Sequence, residues 1–188
     1  KFFFSTHQTK AINFSLAQLH KVKKVILQNQ QKIEQALWKD LHKSPEEAYL
    51  TEISIVTGEI DNHIKQLKKW AKPKRVSTPI HLLPSSSKII YEPLGVALIV
   101  SPWNYPFQLV FNSLVGAISS GCCSVLKPSP DTPTIAKLME AMIVENFDSN
   151  YICVVQGGRE VNTILFAQRF DIIFFTGSLQ VGKVVMKE

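Results

Sequence analysis

Four short runs of continuously apolar residues recur in the second half of the chain, and segments with helical periodicity separate them. The runs are residues 96–100, 123–126, 151–155 and 172–175. The segments between them are residues 107–120, 132–146 and 159–167, and a further helix is predicted to begin near Ser178. Strands that are apolar at every position are expected where helices cover both faces of a sheet. The alternation therefore predicts an α/β fold with a doubly wound parallel sheet.

Two long amphipathic helices are predicted before this sheet. Between residues 11 and 42, apolar side chains recur at gaps of three, four and seven, which indicates one helix about 45 Å long. The second helix begins at Ser44, a suitable N-cap, with Pro45 in its first turn and Glu47 at the capping-box position. Since proline cannot continue a helix, this second helix is predicted to end at Pro73.

The segment 74–93 has a different character from both of its neighbours. Prolines at positions 73, 79, 84 and 93 exclude a helix here. Short apolar runs at 80–83 and 88–91 predict two strands around a turn at 84–87, which would form a hairpin or an extended arm. The chain is thus divided into N-terminal helices that pack on the sheet domain (1–73), an arm (74–93) and the sheet domain itself (94–188).

The net charge of +6 comes from a basic excess in the first 90 residues. Lysines such as Lys21, Lys24 and Lys32 punctuate an amphipathic pattern and have no stacking aromatics between them. This arrangement is typical of a solvated helix face, so no nucleic-acid partner is predicted. The apolar runs are too short to cross a bilayer, and no transmembrane segment is predicted.

The three cysteines include an adjacent pair, Cys122 and Cys123, which is a poor arrangement for an ordinary disulfide. This usage favours a reducing compartment and predicts a cytoplasmic protein. No extended apolar core follows Phe2, so no signal peptide is predicted. The chain begins at Lys1 rather than at methionine, which suggests that residues precede it.

Ligands of a doubly wound sheet bind at the carboxyl ends of the strands, so the four loops that follow the strands are the candidate site. The first loop, 101–106, holds Asn104 between two prolines that stiffen its backbone. An asparagine amide can donate a hydrogen bond to a developing oxyanion without carrying a charge. The alternative is that Asn104 caps the next helix and that Trp103 belongs to the core.

The second and third loops each carry a residue type that suits a nucleotide cofactor. Lys127, with Ser129 two residues later, follows the second strand, where a cation could meet ribose hydroxyls or a phosphate. The alternative is a lysine that is simply solvated. Gly157 follows the third strand, where a glycine permits a positive φ or a close approach of the backbone. The alternative for this position is a plain turn.

The fourth loop leads from a strand into a helix through Gly177 and Ser178. The first turn of that helix offers free N–H groups and the positive end of the helix dipole to a pyrophosphate. The spacing of Gly177, Gly182 and Lys183 also matches a P-loop up to its last position, but Val184 has no oxygen to hold Mg²⁺. The pattern alone predicts phosphate groups at a helix start and leaves the nucleotide open.

Taken together, these segments resemble the aldehyde dehydrogenase family. The matching segments, in the family's order, are 92–96 (EPLGV), 102–106 (PWNYP), 126–129 (LKPS) and 175–178 (FTGS) followed by Gly182. Lys69-Trp70 with 73–75 (PKR), and the short segment before the first helix, are similar to the class 3 branch, which oxidises aromatic and medium- to long-chain aliphatic aldehydes. The resemblance covers essentially the whole chain. It implies an incomplete aldehyde dehydrogenase fold, with a Rossmann-like domain that binds NAD or NADP.

The resemblance also implies roles for the candidate residues. Asn104 corresponds to the asparagine that helps to hold the oxyanion of the thiohemiacetal, and Trp103 lies on the phosphate side of the cofactor. Lys127 corresponds to the lysine at the adenine ribose, and the turn and helix start at 177–182 meet the pyrophosphate. The candidate cofactor-binding residues are Trp103, Lys127, Ser129, Gly157, Gly177, Ser178, Val181 and Gly182. No metal site is predicted.

In the family mechanism a cysteine thiolate attacks the aldehyde, hydride passes to the nicotinamide, and a glutamate acts as general base in thioester hydrolysis. Both residues lie downstream of the glycine motif in family members. Cys122, Cys123 and Cys153 do not match the nucleophile and are expected to be buried small hydrophobes. The chain as given is therefore predicted to be inactive alone, whereas the parent enzyme oxidises aldehydes to carboxylic acids. The arm resembles part of the family's oligomerisation element, which implies a homodimer.

Two other interpretations remain beside this one. The chain could be a non-catalytic truncated protein that binds a nucleotide or a partner through its basic helices and arm, while a P-loop NTPase is disfavoured by Val184. Within the leading interpretation, Pro130 stands where the family commonly has a glutamate that grips ribose hydroxyls and repels a 2′-phosphate. Its absence is expected to relax or reverse a preference for NAD over NADP.

Overall fold

The computed structural model describes residues 1–187, with helices in the first half and a parallel sheet in the second. The helices of the first half are α1 Phe2–Ser5, α2 Ile12–Gln28, α3 Gln30–Leu41, α4 Pro45–Ala48 and α5 Ser54–Trp70. The helices of the second half are α6 Pro106–Ser119, α7 Pro133–Asn146, α8 Arg159–Phe166 and α9 Leu179–Val185. The strands are β1 Lys74–Val76, β2 Ser87–Ile89, β3 Val96–Val100, β4 Cys123–Lys127, β5 Ile152–Val154 and β6 Ile172–Phe175.

The main sheet has four parallel strands in the order β5-β4-β3-β6. The chain moves outward from β3 to β4 and β5, then returns through α8 to place β6 on the other side of β3. The direction of winding therefore reverses between β3 and β6, which is the point where such sheets bind their ligands. The predicted doubly wound parallel sheet is confirmed, and its four strands lie within one residue of the predicted bounds.

A large apolar core joins the helices to the sheet, and a smaller cluster around Leu98, Val100 and Phe166 lies apart from it. All five residues of β3 are buried, and α6 packs on this strand and on β4. Within α6, Phe107 and Phe111 are almost completely buried and stack with their ring centroids 4.5 Å apart. In turn, α2 and α5 pack on α6, and α3 packs on α7. Since truncation of a buried phenylalanine to alanine costs about 3–5 kcal/mol, this packing holds α6, and the loop before it, firmly in place.

The single helix predicted over residues 11–42 is wrong, because Asn29 separates α2 from α3. Asn29 has φ −110° and ψ 11°, and its side-chain amide donates to the carbonyl oxygen of Val25 at 2.9 Å. A side chain that bonds a nearby backbone carbonyl competes with helix continuation. The break leaves Ile26 and Ile33 both fully buried on the core side.

The predicted start of the second helix is confirmed. Ser44 caps α4, and its hydroxyl accepts a hydrogen bond from the backbone N–H of Glu47 at 3.2 Å. The helical path continues through a π-helical turn, Tyr49–Ile53, into α5. Within residues 1–187, every helix is too short or too polar to cross a lipid bilayer.

The arm is a two-stranded antiparallel hairpin, but one of its predicted strands is wrong. β1 pairs with β2, so that Lys74 lies opposite Ile89, whereas Ile80–Leu82 forms a short 3₁₀ turn between the two strands. Proline at both ends of this run favours turns over ladder pairing. The side chain of Ile80 remains 84% exposed. The arm therefore extends away from the core with an apolar, solvent-exposed tip.

Candidate cofactor site

Four loops lie side by side along the carboxyl edge of the main sheet, and backbone hydrogen bonds connect the ends of their strands. Thr176 N donates to Val100 O at 3.0 Å, and Ser101 N donates to Lys127 O at 3.3 Å. On the far side, Val155 N donates to a carbonyl of β4 at 2.8 Å. Because neighbouring strands are about 4.8 Å apart, the row of loops extends across roughly 14 Å. This edge therefore offers an elongated site.

The loop between β3 and α6 presents Asn104 and Trp103 to solvent. Asn104 is exposed, and Trp103 is 54% exposed. The N-cap of α6 is Tyr105, without a capping side chain, and Pro106 begins the helix. The alternative in which Asn104 caps α6 and Trp103 belongs to the core is therefore wrong. Among the described residues the Asn104 amide has no hydrogen-bond partner, so its N–H donors are available to a ligand.

Lys127 ends β4 and is almost completely buried, with 1% of its surface exposed. Its amine donates to Pro128 O at 2.9 Å, which within residues 1–187 uses one of its three donors. Burial lowers the pKa of Lys127, and the nearby Asp131 carboxylate acts in the opposite direction. The alternative of a solvated lysine is therefore wrong, because this cation is held inside the protein at the edge where the loops meet.

Ser129 and Gly157 have contacts of their own within the second and third loops. Ser129 is buried, donates to the Asp131 carboxylate at 3.1 Å and accepts from Asp131 N at 3.2 Å. Gly157 has φ +136°, and a Cβ atom there would collide with Val161 of α8. Both residues thus shape the loops that carry them, and the glycine is required for backbone conformation and for space.

The turn from β6 into α9 needs a glycine at position 177 for close packing, whereas position 182 has room for a Cβ atom. A Cβ atom on Gly177 would lie 2.5 Å from the ring of Phe175, and one on Gly182 would lie 3.5 Å from that ring. Ser178 is the N-cap of α9, and its hydroxyl accepts from Val181 N at 3.4 Å. Gly177, Ser178 and Val181 are all accessible from solvent at this end of the sheet. The helix start therefore stands directly beside the Asn104 loop.

The sequence analysis missed a buried ion pair beneath the Asn104 loop. Lys43 Nζ and Glu52 Oε1 lie 2.6 Å apart, and their side chains are 8% and 0% exposed. The same amine donates to the backbone carbonyl of Asn104 at 2.8 Å. A signal for this pair exists in the sequence, because Glu52 falls three residues after Tyr49 and four before Val56, on the apolar face of the second helix.

The three cysteines lack the environment of a nucleophile. Cys122 and Cys123 are buried in the core, as predicted, whereas Cys153 is only partly buried. Burial raises the pKa of the Cys123 thiol to about 11 and also raises the pKa of Cys153. A protonated thiol is a poor nucleophile. Cys123 and Cys153 therefore do not supply a thiolate at neutral pH, and Cys122 is buried in the core.

We expect Cys123 in the folded chain to react with a disulfide reagent at pH 7.5 at least about 100-fold more slowly than an unfolded thiol, because burial suppresses both ionisation and access. The raised pKa also has a consequence for stability. An unfolded thiol ionises near 9.0, whereas folded Cys123 ionises near 11, so the free energy of unfolding falls as pH rises between these values. Thiol titration before and after denaturation measures the first effect, and rapid native labelling of Cys122 and Cys123 would contradict it.

The groups along the carboxyl edge of the sheet indicate the class of ligand that this edge could bind. A parallel sheet of order β5-β4-β3-β6 has a buried cation, an exposed amide, an exposed indole and a serine-capped helix start along one edge of roughly 14 Å. Cations, hydroxyls and free N–H groups of this kind suit the phosphates and ribose hydroxyls of a nucleotide. The residues present therefore fit a dinucleotide cofactor, and by fold the chain is an α/β protein with a candidate nucleotide site at the carboxyl edge of its parallel sheet.

The particular family follows from known proteins. The aldehyde dehydrogenase family model matches residues 9–188, and the chain belongs to this family. The chain is 48% identical over 185 residues to the 4,4'-diaponeurosporen-aldehyde dehydrogenase of Staphylococcus aureus, covering 98% of this chain and 40% of the relative. It is 40% identical over 183 residues to aldehyde dehydrogenase family 3 member B1 of Bos taurus, covering 97% of this chain and 39% of the relative.

A solved structure agrees with this assignment. The substrate-bound structure of Staphylococcus aureus AldH superimposes with a TM-score of 0.97 at 48% identity, and the match covers 100% of this chain and 41% of that protein. The predicted family and its class 3 character are confirmed, since relatives of the chain include family 3 members. The chain spans about 40% of the length of the curated relatives that it matches.

Proposed function

We propose that the protein to which this chain belongs oxidises aldehydes to carboxylic acids with NAD or NADP, and that this chain supplies the cofactor site and one oxyanion donor. The observation that carries the proposal is the position of Asn104. Its exposed amide stands on a proline-bounded loop at the reversal point between β3 and β6, beside the start of α9. A neutral donor held at this point is suited to the oxygen of an aldehyde that is under attack.

The proposed cofactor contacts follow the row of loops. When bound, a nicotinamide cofactor supplies the hydride acceptor of the reaction. Lys127 would offer its remaining donors to ribose hydroxyls, and Trp103 would cover the phosphate side. The other residues proposed to line the site are Ser129, Gly157, Gly177, Ser178, Val181 and Gly182.

The choice between NAD and NADP rests on the second loop. Pro130 is exposed and brings no carboxylate to the ribose, whereas Asp131 is tied to Ser129. We therefore propose that the preference for NAD over NADP is relaxed. Titration of the protein with each nucleotide separately decides this point, and a much tighter NAD constant would contradict it.

The chemistry proposed for Asn104 is electrostatic. As the aldehyde carbon is attacked, negative charge develops on its oxygen, and an amide N–H held in place stabilises that charge without reorganising. The resemblance to the family implies that the attacking cysteine and the general-base glutamate come from a part of the enzyme outside this chain. Cys122, Cys123 and Cys153 are poorly suited to the task because they are buried or have raised pKa values.

The domain division, the oligomeric state and the location are proposed in addition to the cofactor site. We propose the division into N-terminal helices (1–73), arm (74–93) and NAD(P)-binding domain (94–188), a homodimer that forms through the arm, and a cytoplasmic location. A non-catalytic nucleotide- or partner-binding protein is the second candidate, favoured by the exposed arm. A P-loop NTPase is opposed by geometry, because Gly182 and Lys183 lie inside α9 rather than in a loop before a helix.

The proposal is tested with a fusion of this chain to the C-terminal part of the Staphylococcus aureus relative, called here the fused enzyme. We expect the fused enzyme to reduce NAD or NADP in the presence of hexanal or benzaldehyde. The 188-residue chain alone is expected to bind nucleotide but to give no turnover. Replacement of the fused enzyme's nucleophilic cysteine by serine is the control. Nucleotide binding without turnover of either aldehyde by a folded fused enzyme would favour the non-catalytic candidate.

A further inference from the structure

We propose that Lys43 and Glu52 are positioning residues for Asn104, so that an ion pair in the N-terminal helical segment tunes the oxyanion donor of the sheet domain. The inference rests on the proposed function, since it assigns a role within that reaction. The two side chains lie 61 and 55 residues, respectively, from the groups that they hold in the loop and in the first turn of α6. They contact the backbone around Asn104 and leave its side chain free.

The Lys43–Glu52 ion pair is buried. Both side chains are nearly inaccessible, and their charged atoms are 2.6 Å apart. Removing two charges from water is unfavourable, and a buried ion pair is often no more stabilising than an apolar pair of the same size. Overall stability is therefore a weak reason for a lysine and a glutamate at these positions. Their hydrogen bonds to the Asn104 loop and to α6 are a stronger reason.

Glu52 caps the start of α6. Its Oε2 atom accepts from the backbone N–H of Phe107 at 2.9 Å and of Gln108 at 3.1 Å. The N-cap residue of α6, Tyr105, makes no capping side-chain bond. A carboxylate from a different helix thus satisfies two free N–H groups and stands at the positive end of the helix dipole. The start of α6, two residues after Asn104, is fixed by this contact.

Lys43 binds the backbone of the Asn104 loop. Its amine donates to Glu52 and to the Asn104 carbonyl at 2.8 Å, and it lies 4.1 Å from the centroid of the Tyr105 ring. One cation therefore contacts the backbone of Asn104 and the side chain of the next residue. The backbone carbonyl of Asn104 is thus held by Lys43, while the residue itself is exposed. A catalytic donor must be held within about 0.5 Å of its productive position.

These contacts predict a specific kinetic pattern in the fused enzyme. Lys43→Met, and the milder Glu52→Gln, are expected to lower kcat by about 10–100-fold, because small displacements of a catalytic group have effects of this size. The dissociation constant for the nucleotide is expected to change less than kcat, since the pair contacts the loop that carries Trp103 but none of the other three loops. Lys23→Met is the matched control. It removes the lysine of the more exposed Lys23–Asp61 pair and is expected to leave kcat unchanged.

A double-mutant cycle separates positioning from a merely structural role. In an Asn104→Ala background, Lys43→Met is expected to change kcat by less than about twofold, because its effect passes through Asn104. A structural role would lower activity by the same factor in both backgrounds. Equal losses in the two backgrounds, or an unchanged kcat in folded Lys43→Met and Glu52→Gln proteins, would overturn the inference.

A second measurement does not depend on activity. Hydrogen exchange of a peptide covering 102–108 is expected to be faster in both variants, while exchange at 172–179 stays as in the parent protein. If the unmodified fused enzyme shows no turnover, the proposed function fails and the catalytic part of this inference fails with it, while the exchange result still tests whether the pair holds the Asn104 loop. Unchanged exchange at 102–108 in both variants would then overturn it, and faster exchange confined to that loop would support it.

Discussion

Replacing Asn104 by alanine is expected to lower kcat/KM of the fused enzyme for hexanal by about 10²–10³-fold, the effect of losing one preorganised oxyanion donor. The amide is exposed and has no partner among the described residues, so its removal should leave the fold intact. The dissociation constant for the nucleotide is expected to change little, because the loss falls on the charge that develops in the transition state. Steady-state kinetics with a direct nucleotide titration measures both quantities.

The control for this substitution is Asn150→Ala. Asn150 is an exposed asparagine whose side chain, among residues 1–187, bonds only Asp148 within its own turn before β5, and its removal is expected to leave kcat/KM unchanged. A tenfold or smaller loss for Asn104→Ala, with Asn150→Ala at parent activity, would mean that Asn104 is not an oxyanion donor. Weaker nucleotide binding as the main effect would instead assign Asn104 to the cofactor.

Replacing Lys127 by methionine is expected to weaken nucleotide binding by about 10–100-fold, since a hydrogen bond from a charged group contributes roughly 1.5–3 kcal/mol. Methionine has nearly the length of the lysine stem and fills the same apolar space. The substitution thus removes the charge and the donors with little change in packing. Titrations with NAD and with NADP, followed by quenching of tryptophan fluorescence, measure the affinity in each case.

The matched control is Lys137→Met on α7, where the lysine is exposed. It removes the same charge from the same half of the protein without touching the row of loops. Parent-like affinity for both nucleotides in Lys127→Met would remove this residue from the site. A selective loss for NADP would instead place a phosphate, and not only ribose hydroxyls, beside the amine.

The parallel sheet and its loops could be predicted from the sequence because their signals are local. The run 96–100 is buried at every position, and the run 172–175 is apolar at every position although Ile172 and Phe174 are exposed. The period of both runs therefore differs visibly from that of the helices around them. The start of the second helix was equally readable, since Ser44 and Glu47 lie three residues apart and bond each other directly. The loops after each strand could then be identified as candidate sites from the topology rule alone.

The incorrect predictions concern segments whose local sequence allows more than one conformation. Contacts with the rest of the protein decide which conformation such a segment adopts. The apolar periodicity continues without a break through Asn29, so it gave no sign that the helix is interrupted there. A hydrogen bond from the Asn29 side chain to the Val25 carbonyl ends α2. In the arm, the apolar run 80–83 was predicted to be a strand, but β1 and β2, which lie before and after it in the chain, pair with each other instead. Strand pairing is decided between segments, and a run enclosed by prolines contributes a turn instead.

Local pattern was sufficient for the fold class and for the loops that form the candidate site, in which Asn104 and Lys127 are the principal predicted residues. Only the tertiary structure decided how these residues are held. Gly177 makes room for the ring of Phe175, and the Asn104 loop rests on Lys43 and Glu52. Such contacts join residues that are distant in the chain, and no periodicity encodes them. They arise because the packing of the π-helical turn Tyr49–Ile53 on α6 brings a buried carboxylate to the free N–H groups of a helix that lacks its own cap.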